Sequence, residues 1–122
     1  MEKGTFSVKK RIKSFDYAFS GLRLLFETEH NAWLHLVATV VVIVLAVIVK
    51  VSSGEGALLA TAIGIVWITE LFNTCIEKIM DFVSKENHPS IKLIKDVSAG
   101  AVLAAAITAL AIGCFVFIPK LM

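Results

Sequence analysis

Three long stretches without a charged residue constrain this chain more than any other feature. Residues 36–49, 57–69 and 97–118 contain no Asp, Glu, Lys or Arg. A helix needs ~20 apolar residues to cross a bilayer, whereas strands usually end by ~10. The eight valines between Val37 and Val51 would suit a buried strand, but the run is too long for one. Three spanning helices are therefore expected, over about 33–51, 57–80 and 97–118. The hydrophobic fraction of 57% agrees, because soluble domains hold ~45–50%. Residues 52–56, Ser-Ser-Gly-Glu-Gly, read as the turn between the first two spans. Lys50 at its edge can snorkel to the interface.

The segment before the first span differs in kind. Val8, Ile12, Phe15, Phe19, Leu22 and Phe26 recur at spacings of four and three, which places one apolar stripe on a helix over about 7–29. Lys9, Lys10, Arg11, Lys13 and Arg23 fall on its other faces. A basic amphipathic helix of this kind rests in a membrane surface, apolar side down. The expected fold is all-α: one surface helix and three transmembrane helices, forming a single domain over 1–122. Small residues in the third span, such as Gly100, Ala101 and Ala105, permit close helix packing.

Orientation follows from positive charge. The surface helix is basic, and the loop after the second span carries Lys85, Lys92 and Lys95. The other two exposed regions have only Lys50 and Lys120 at their edges. The N-terminus and second loop are thus expected to face the cytoplasm, and the C-terminus the outside. No removable signal peptide is read at the N-terminus. Cys75 and Cys114 are expected to be free thiols acting as small hydrophobes in a helical core. The net charge of +2 gives no reason to expect a nucleic-acid partner.

The second span carries the chemistry. Glu70, Asn73, Glu77 and Asp81 are spaced by three, four and four, and so share one helix face. A carboxylate at mid-bilayer costs roughly 2.5–3.5 kcal/mol on insertion scales, so such groups point first to function. Lys78 would be the partner if they served only to join helices. Two carboxylates and an amide can hold a divalent cation through oxygen. Glu29, at the end of the surface helix, is a third acid near that level, and Lys95-Asp96 opens the third span beside it. Mg²⁺ takes one or two carboxylates plus nucleotide phosphates, a lysine neutralises phosphate, and a further carboxylate accepts a hydroxyl proton. These are the parts for phosphoryl transfer. No G-x-x-x-x-G-K-[ST] loop and no glycine-rich kinase loop is present. Nor do His30, His35 and His88 have the spacing of a zinc site.

Glu70-Leu-Phe-Asn73-Thr74-Cys-Ile-Glu77 resembles the E-x-x-N-[ST]-x-x-E signature of the small bacterial membrane lipid kinases, the diacylglycerol and undecaprenol kinase family. Lys95-Asp96 with the following Ser98-Ala99-Gly100-Ala101-Val102 is similar to that family's second signature. Gly21-Leu22-Arg23, Glu29, the length and the three-span layout fit as well. The resemblance implies a kinase of the bacterial inner membrane that phosphorylates a lipid alcohol with ATP and Mg²⁺. It implies that Glu70 is the general base, that Glu29 and Glu77 ligate the metal, and that Asn73 and Asp81 support the carboxylates. By the same resemblance Lys10, Tyr17, Glu29, Glu77, Glu86, Asn87, His88, Lys95 and Asp96 contact nucleotide, and Lys10 and Glu70 contact the lipid. Lys10 stands where related kinases can have arginine, which keeps the charge but not the planar fork. The family forms homotrimers with sites shared between subunits, among membrane lipids. His35 lies where the best-known diacylglycerol kinases have an acid. A histidine there looks more like the undecaprenol branch, or else faces lipid headgroups. The rival reading is a non-enzymatic oligomer with an intramembrane ion or proton site at Glu70 and Glu77.

Overall fold

The computed structural model describes residues 4–122, and all of its regular structure is helical. Four helices follow one another: α1 (Val8–Thr28), α2 (His30–Ile48), α3 (Ser53–Val83) and α4 (Pro89–Leu121). α2, α3 and α4 are long and apolar enough to cross a membrane. α1 carries the amphipathic stripe, and of its residues only Leu25 is buried. The protein is thus an all-α membrane protein with one surface helix and three spans.

α3 is the central helix. α4 packs along it, α2 meets it, and α1 touches both α2 and α3. Four polar pairs record the registers. On α2 and α3, the His35 ring meets the Glu70 carboxylate, and Trp67 Nε1–H donates to Thr39 Oγ1 at 3.0 Å. On α3 and α4, Ser98 Oγ–H donates to Asn73 Oδ1 at 2.7 Å. At the opposite end, the Lys120 ammonium lies 3.0 Å from Glu55 Oε1. Between Glu55 and this ladder the helices meet through apolar side chains, with Leu59, Val116 and Phe117 buried against Leu45 and Val49.

The helix ends differ from the sequence expectation in three places. First, α3 begins at Ser53, so most of the supposed 52–56 turn is already helical. The reason is a reciprocal cap: Ser52 Oγ accepts from the Glu55 N–H at 3.1 Å, and Glu55 Oε1 accepts from the Ser52 N–H at 2.9 Å. Two satisfied donors offset the poor helix propensity of Gly54 and Gly56. Second, the reversal falls earlier, at Val49–Lys50. The Val51 N–H bonds to Ala46 O and the Lys50 N–H to Val47 O, a Schellman closure. Its left-handed residue is Lys50, with φ 55°, although glycines stand nearby. Third, α4 starts at Pro89, well before residue 97. His88 Nδ1 accepts from the Ser90 N–H at 3.1 Å, and Pro at the first helical position loses no bond. At ~1.5 Å per residue, helices of 31 and 33 residues outreach a ~30 Å hydrocarbon layer, so the α3–α4 loop end stands clear of it.

Cys75 and Cys114 are free, as expected. Both are exposed in the single chain and do not belong to its buried core. Within a lone chain, three helices in a row leave most side chains on the outside.

Candidate active site

Glu70 is the most deeply buried charged group of the chain, at 1% exposure among the described residues. Its position on α3 is forced by periodicity, since it lies on the face turned toward α2. His35 Nε2 stands 3.2 Å from Glu70 Oε2. An imidazole is therefore the group that α2 supplies to this carboxylate, and the reading of His35 as a residue facing only headgroups is corrected. The ring is packed edge-on against Trp67, at 6.0 Å between centroids. Trp67 precedes Glu70 by three residues and so shares its helix face.

The same tryptophan belongs to an aromatic corner. Phe26 lies 5.6 Å from Trp67 and 5.2 Å from Trp33, and Trp33 Nε1–H donates to the Phe26 carbonyl at 3.0 Å. This corner fastens the end of α1 to α2 and α3. Glu29 sits at the bend, in extended conformation with φ −116° and ψ 114°, where it ends α1 and caps α2. Its N–H bonds to Leu25 O at 2.9 Å, and its carbonyl accepts from Ala32 N–H at 3.2 Å. With the backbone so employed, the half-buried Glu29 carboxylate is left for other work. Glu77 is likewise half-buried, two turns along α3 from Glu70.

Asn73 is tied to α4 by Ser98, so the amide of the E-x-x-N motif fixes the α3–α4 contact beside Glu70. Thr74 is buried, and its hydroxyl has no partner among the described residues.

Beyond the membrane-embedded part, a polar cavity of about 550 Å³ lies under the α3–α4 loop, lined by Asp81, Glu86, Asn87, His88, Lys95 and Asp96. All six stand in the sequence expectation, and the fold brings them together. Lys95 Nζ–H donates to Asp81 Oδ1 at 2.6 Å, and Lys92 Nζ–H to Asp96 Oδ2 at 2.5 Å. Asp96 thus faces along its own helix and not toward the acids of α3. Lys10 and Tyr17 stand exposed on α1 and are not among the residues that line this cavity.

No cluster of three Asp, Glu, His or Cys side chains able to hold a metal occurs among the described residues. The donor chemistry still fits Mg²⁺. This ion commonly takes only one or two protein carboxylates and completes its shell with water and phosphate, a demand that the half-buried carboxylates of Glu29 and Glu77 would meet.

Sequence reasoning missed Trp67, Thr39 and Ser98 as parts of the site's scaffold. Trp67 had a usable signal, because it is an aromatic three residues before an intramembrane carboxylate. Thr39 had none, since a small hydroxyl in a span commonly bonds its own helix, and Ser98 stood in the second signature without a stated role.

Comparison with known proteins supplies the family. Residues 16–117 match the family model of the prokaryotic diacylglycerol kinases. The chain is 36% identical over 109 residues to an undecaprenol kinase of Bacillus subtilis, covering 89% of both proteins. It is 37% identical over 110 residues to a diacylglycerol kinase of Synechocystis, of which it spans 63%. A diacylglycerol kinase of Escherichia coli K12 is 30% identical over 114 residues, with 93% of each covered. A buried intramembrane carboxylate, a polar cavity at the loop end and these matches together place the chain in the prokaryotic diacylglycerol kinase family, among the lipid kinases.

Proposed function

We propose that this chain transfers the γ-phosphoryl group of ATP to the hydroxyl of a membrane lipid alcohol, diacylglycerol or undecaprenol, at the cytoplasmic face of the inner membrane. The observation that carries the reading is Glu70: a carboxylate at 1% exposure, held on one side by His35. His35 also lines an apolar cleft of about 470 Å³ that extends along α2, α3 and α4 as far as Phe117 and Ile118. A lipid whose chain lies in that cleft presents its hydroxyl to Glu70.

Glu70 takes the proton of the hydroxyl as its oxygen attacks the γ-phosphorus. The bond from that phosphorus to the β-phosphate oxygen breaks, ADP leaves, and the proton passes from Glu70 to water. The products are the lipid phosphate, ADP and one proton. Lys95, with Glu86, Asn87, His88 and Asp96, lines the polar cavity that would receive the nucleotide, and Lys10 and Tyr17, which do not line it in the single chain, would reach the nucleotide from α1. His88 already serves as the cap of α4 through Nδ1, which leaves Nε2 for a ligand. Glu29 and Glu77 are the residues that would hold Mg²⁺ against the phosphates, where the ion neutralises negative charge. Asn73 and Asp81 keep α3 and α4 aligned around them. Catalysis in this scheme is mainly positioning and charge neutralisation.

The active form is proposed to be a homotrimer with shared sites. Phe72, Phe82 and Phe115 are 65%, 93% and 81% exposed in the single chain, and one layer of helices cannot enclose both substrates. The deciding experiment supplies purified protein with labelled ATP and a mixture of diacylglycerol and undecaprenol. Label in one lipid phosphate identifies the substrate; no transfer to either lipid ends the proposal.

A further inference from the structure

We propose that His35 is the positioning residue of the proposed base, holding the Glu70 carboxylate in its reactive orientation through Nε2; this rests on the lipid-kinase reading of Glu70. The argument starts from freedom. A glutamate side chain has three rotatable bonds, and a base loses rate when its oxygen wanders from the line of proton transfer. Glu70 Oε2 is bound by His35 at 3.2 Å, and among the described residues this is its one hydrogen bond to another side chain. Oε1 is left to meet the substrate hydroxyl. An ionised carboxylate only accepts, so His35 Nε2 carries the proton and donates it.

The imidazole itself is held firmly. Its ring is 20% exposed, against 2% for the Glu70 side chain. Trp67 packs on the ring edge, and Trp67 Nε1–H donates to Thr39 Oγ1, whose hydroxyl donates in turn to the His35 carbonyl at 2.7 Å. Two residues of α3, Glu70 and Trp67, thus grip one turn of α2. Nothing in the packing of two apolar helices requires a histidine here. An aliphatic residue would leave the buried Glu70 carboxylate without that partner. The arrangement inverts the familiar pairing in which a carboxylate orients a histidine base: here the histidine orients the carboxylate.

The test compares wild type with His35→Ala, His35→Gln, Glu70→Gln and the double variant His35→Ala/Glu70→Gln, in phosphate transfer to a lipid alcohol from Mg-ATP. His35→Ala is expected to lower kcat about 10- to 100-fold with KM for ATP within twofold. His35→Gln keeps an N–H donor and should recover most of that loss. The double variant should be no slower than Glu70→Gln alone, because the two residues act as one unit. A His35→Ala kcat within twofold of wild type overturns the proposal, as does a loss confined to KM. A wild type that transfers no phosphate to any lipid alcohol overturns the kinase reading instead. Should His35→Ala fail to fold, the ¹⁵N resonance of His35 Nε2 decides. It shifts between wild type and Glu70→Gln if the pair exists, and an unchanged resonance refutes it.

Discussion

Among single residues, Glu70 carries the largest consequence. Glu70→Gln is nearly isosteric and can still bond His35, but it cannot accept a proton. We expect kcat to fall by roughly 10²–10⁴, the usual share of a general base, with ATP affinity little changed. Near-normal kcat with lost ATP binding, measured by steady-state kinetics and nucleotide titration, would move Glu70 to the metal ligands.

At the level of elements, the α2–α3 reversal is the place where local rules conflict. Lys50 takes a left-handed conformation at φ 55°, which is unfavourable by roughly 1–2 kcal/mol for a side chain with a Cβ. It is tolerated because the Schellman bonds and the neighbouring cap of Ser52 and Glu55 satisfy the loop's backbone. Lys50→Gly should therefore stabilise the protein by about 1 kcal/mol. Thermal or denaturant unfolding in micelles would register this as a raised midpoint. A lowered midpoint would show that snorkelling of the Lys50 side chain outweighs the backbone term.

For the whole molecule, the spans have a direction. The α3–α4 loop end holds the polar cavity, and the basic residues of α1 and of this loop lie on the same side of the spans. If the positive-inside bias governs insertion, reporters fused to the N-terminus should be active only in the cytoplasm, and those at the C-terminus only outside. The reverse pattern would separate the proposed site from ATP.

Much of this protein can be read along the chain. The spans follow from length and charge, the surface helix from its stripe, and the face of Glu70, Asn73, Glu77 and Asp81 from spacing alone, because these are properties of consecutive residues. The Ser52–Glu55 cap has a sequence signature as well, a Ser followed three residues later by Glu, although Gly54 and Gly56 beside it read as a longer turn. The partners of the polar groups were not legible. Whether Glu70 meets His35, Asn73 meets Ser98, or Asp81 meets Lys95 depends on how far one helix slides past another. Periodicity says which face a residue occupies and nothing about that sliding. Register is set by the sum of Trp67 on Thr39, the aromatic corner at Phe26 and the apolar contacts around Leu59. Only packing in three dimensions could turn His35 from an interfacial histidine into the partner of a buried carboxylate.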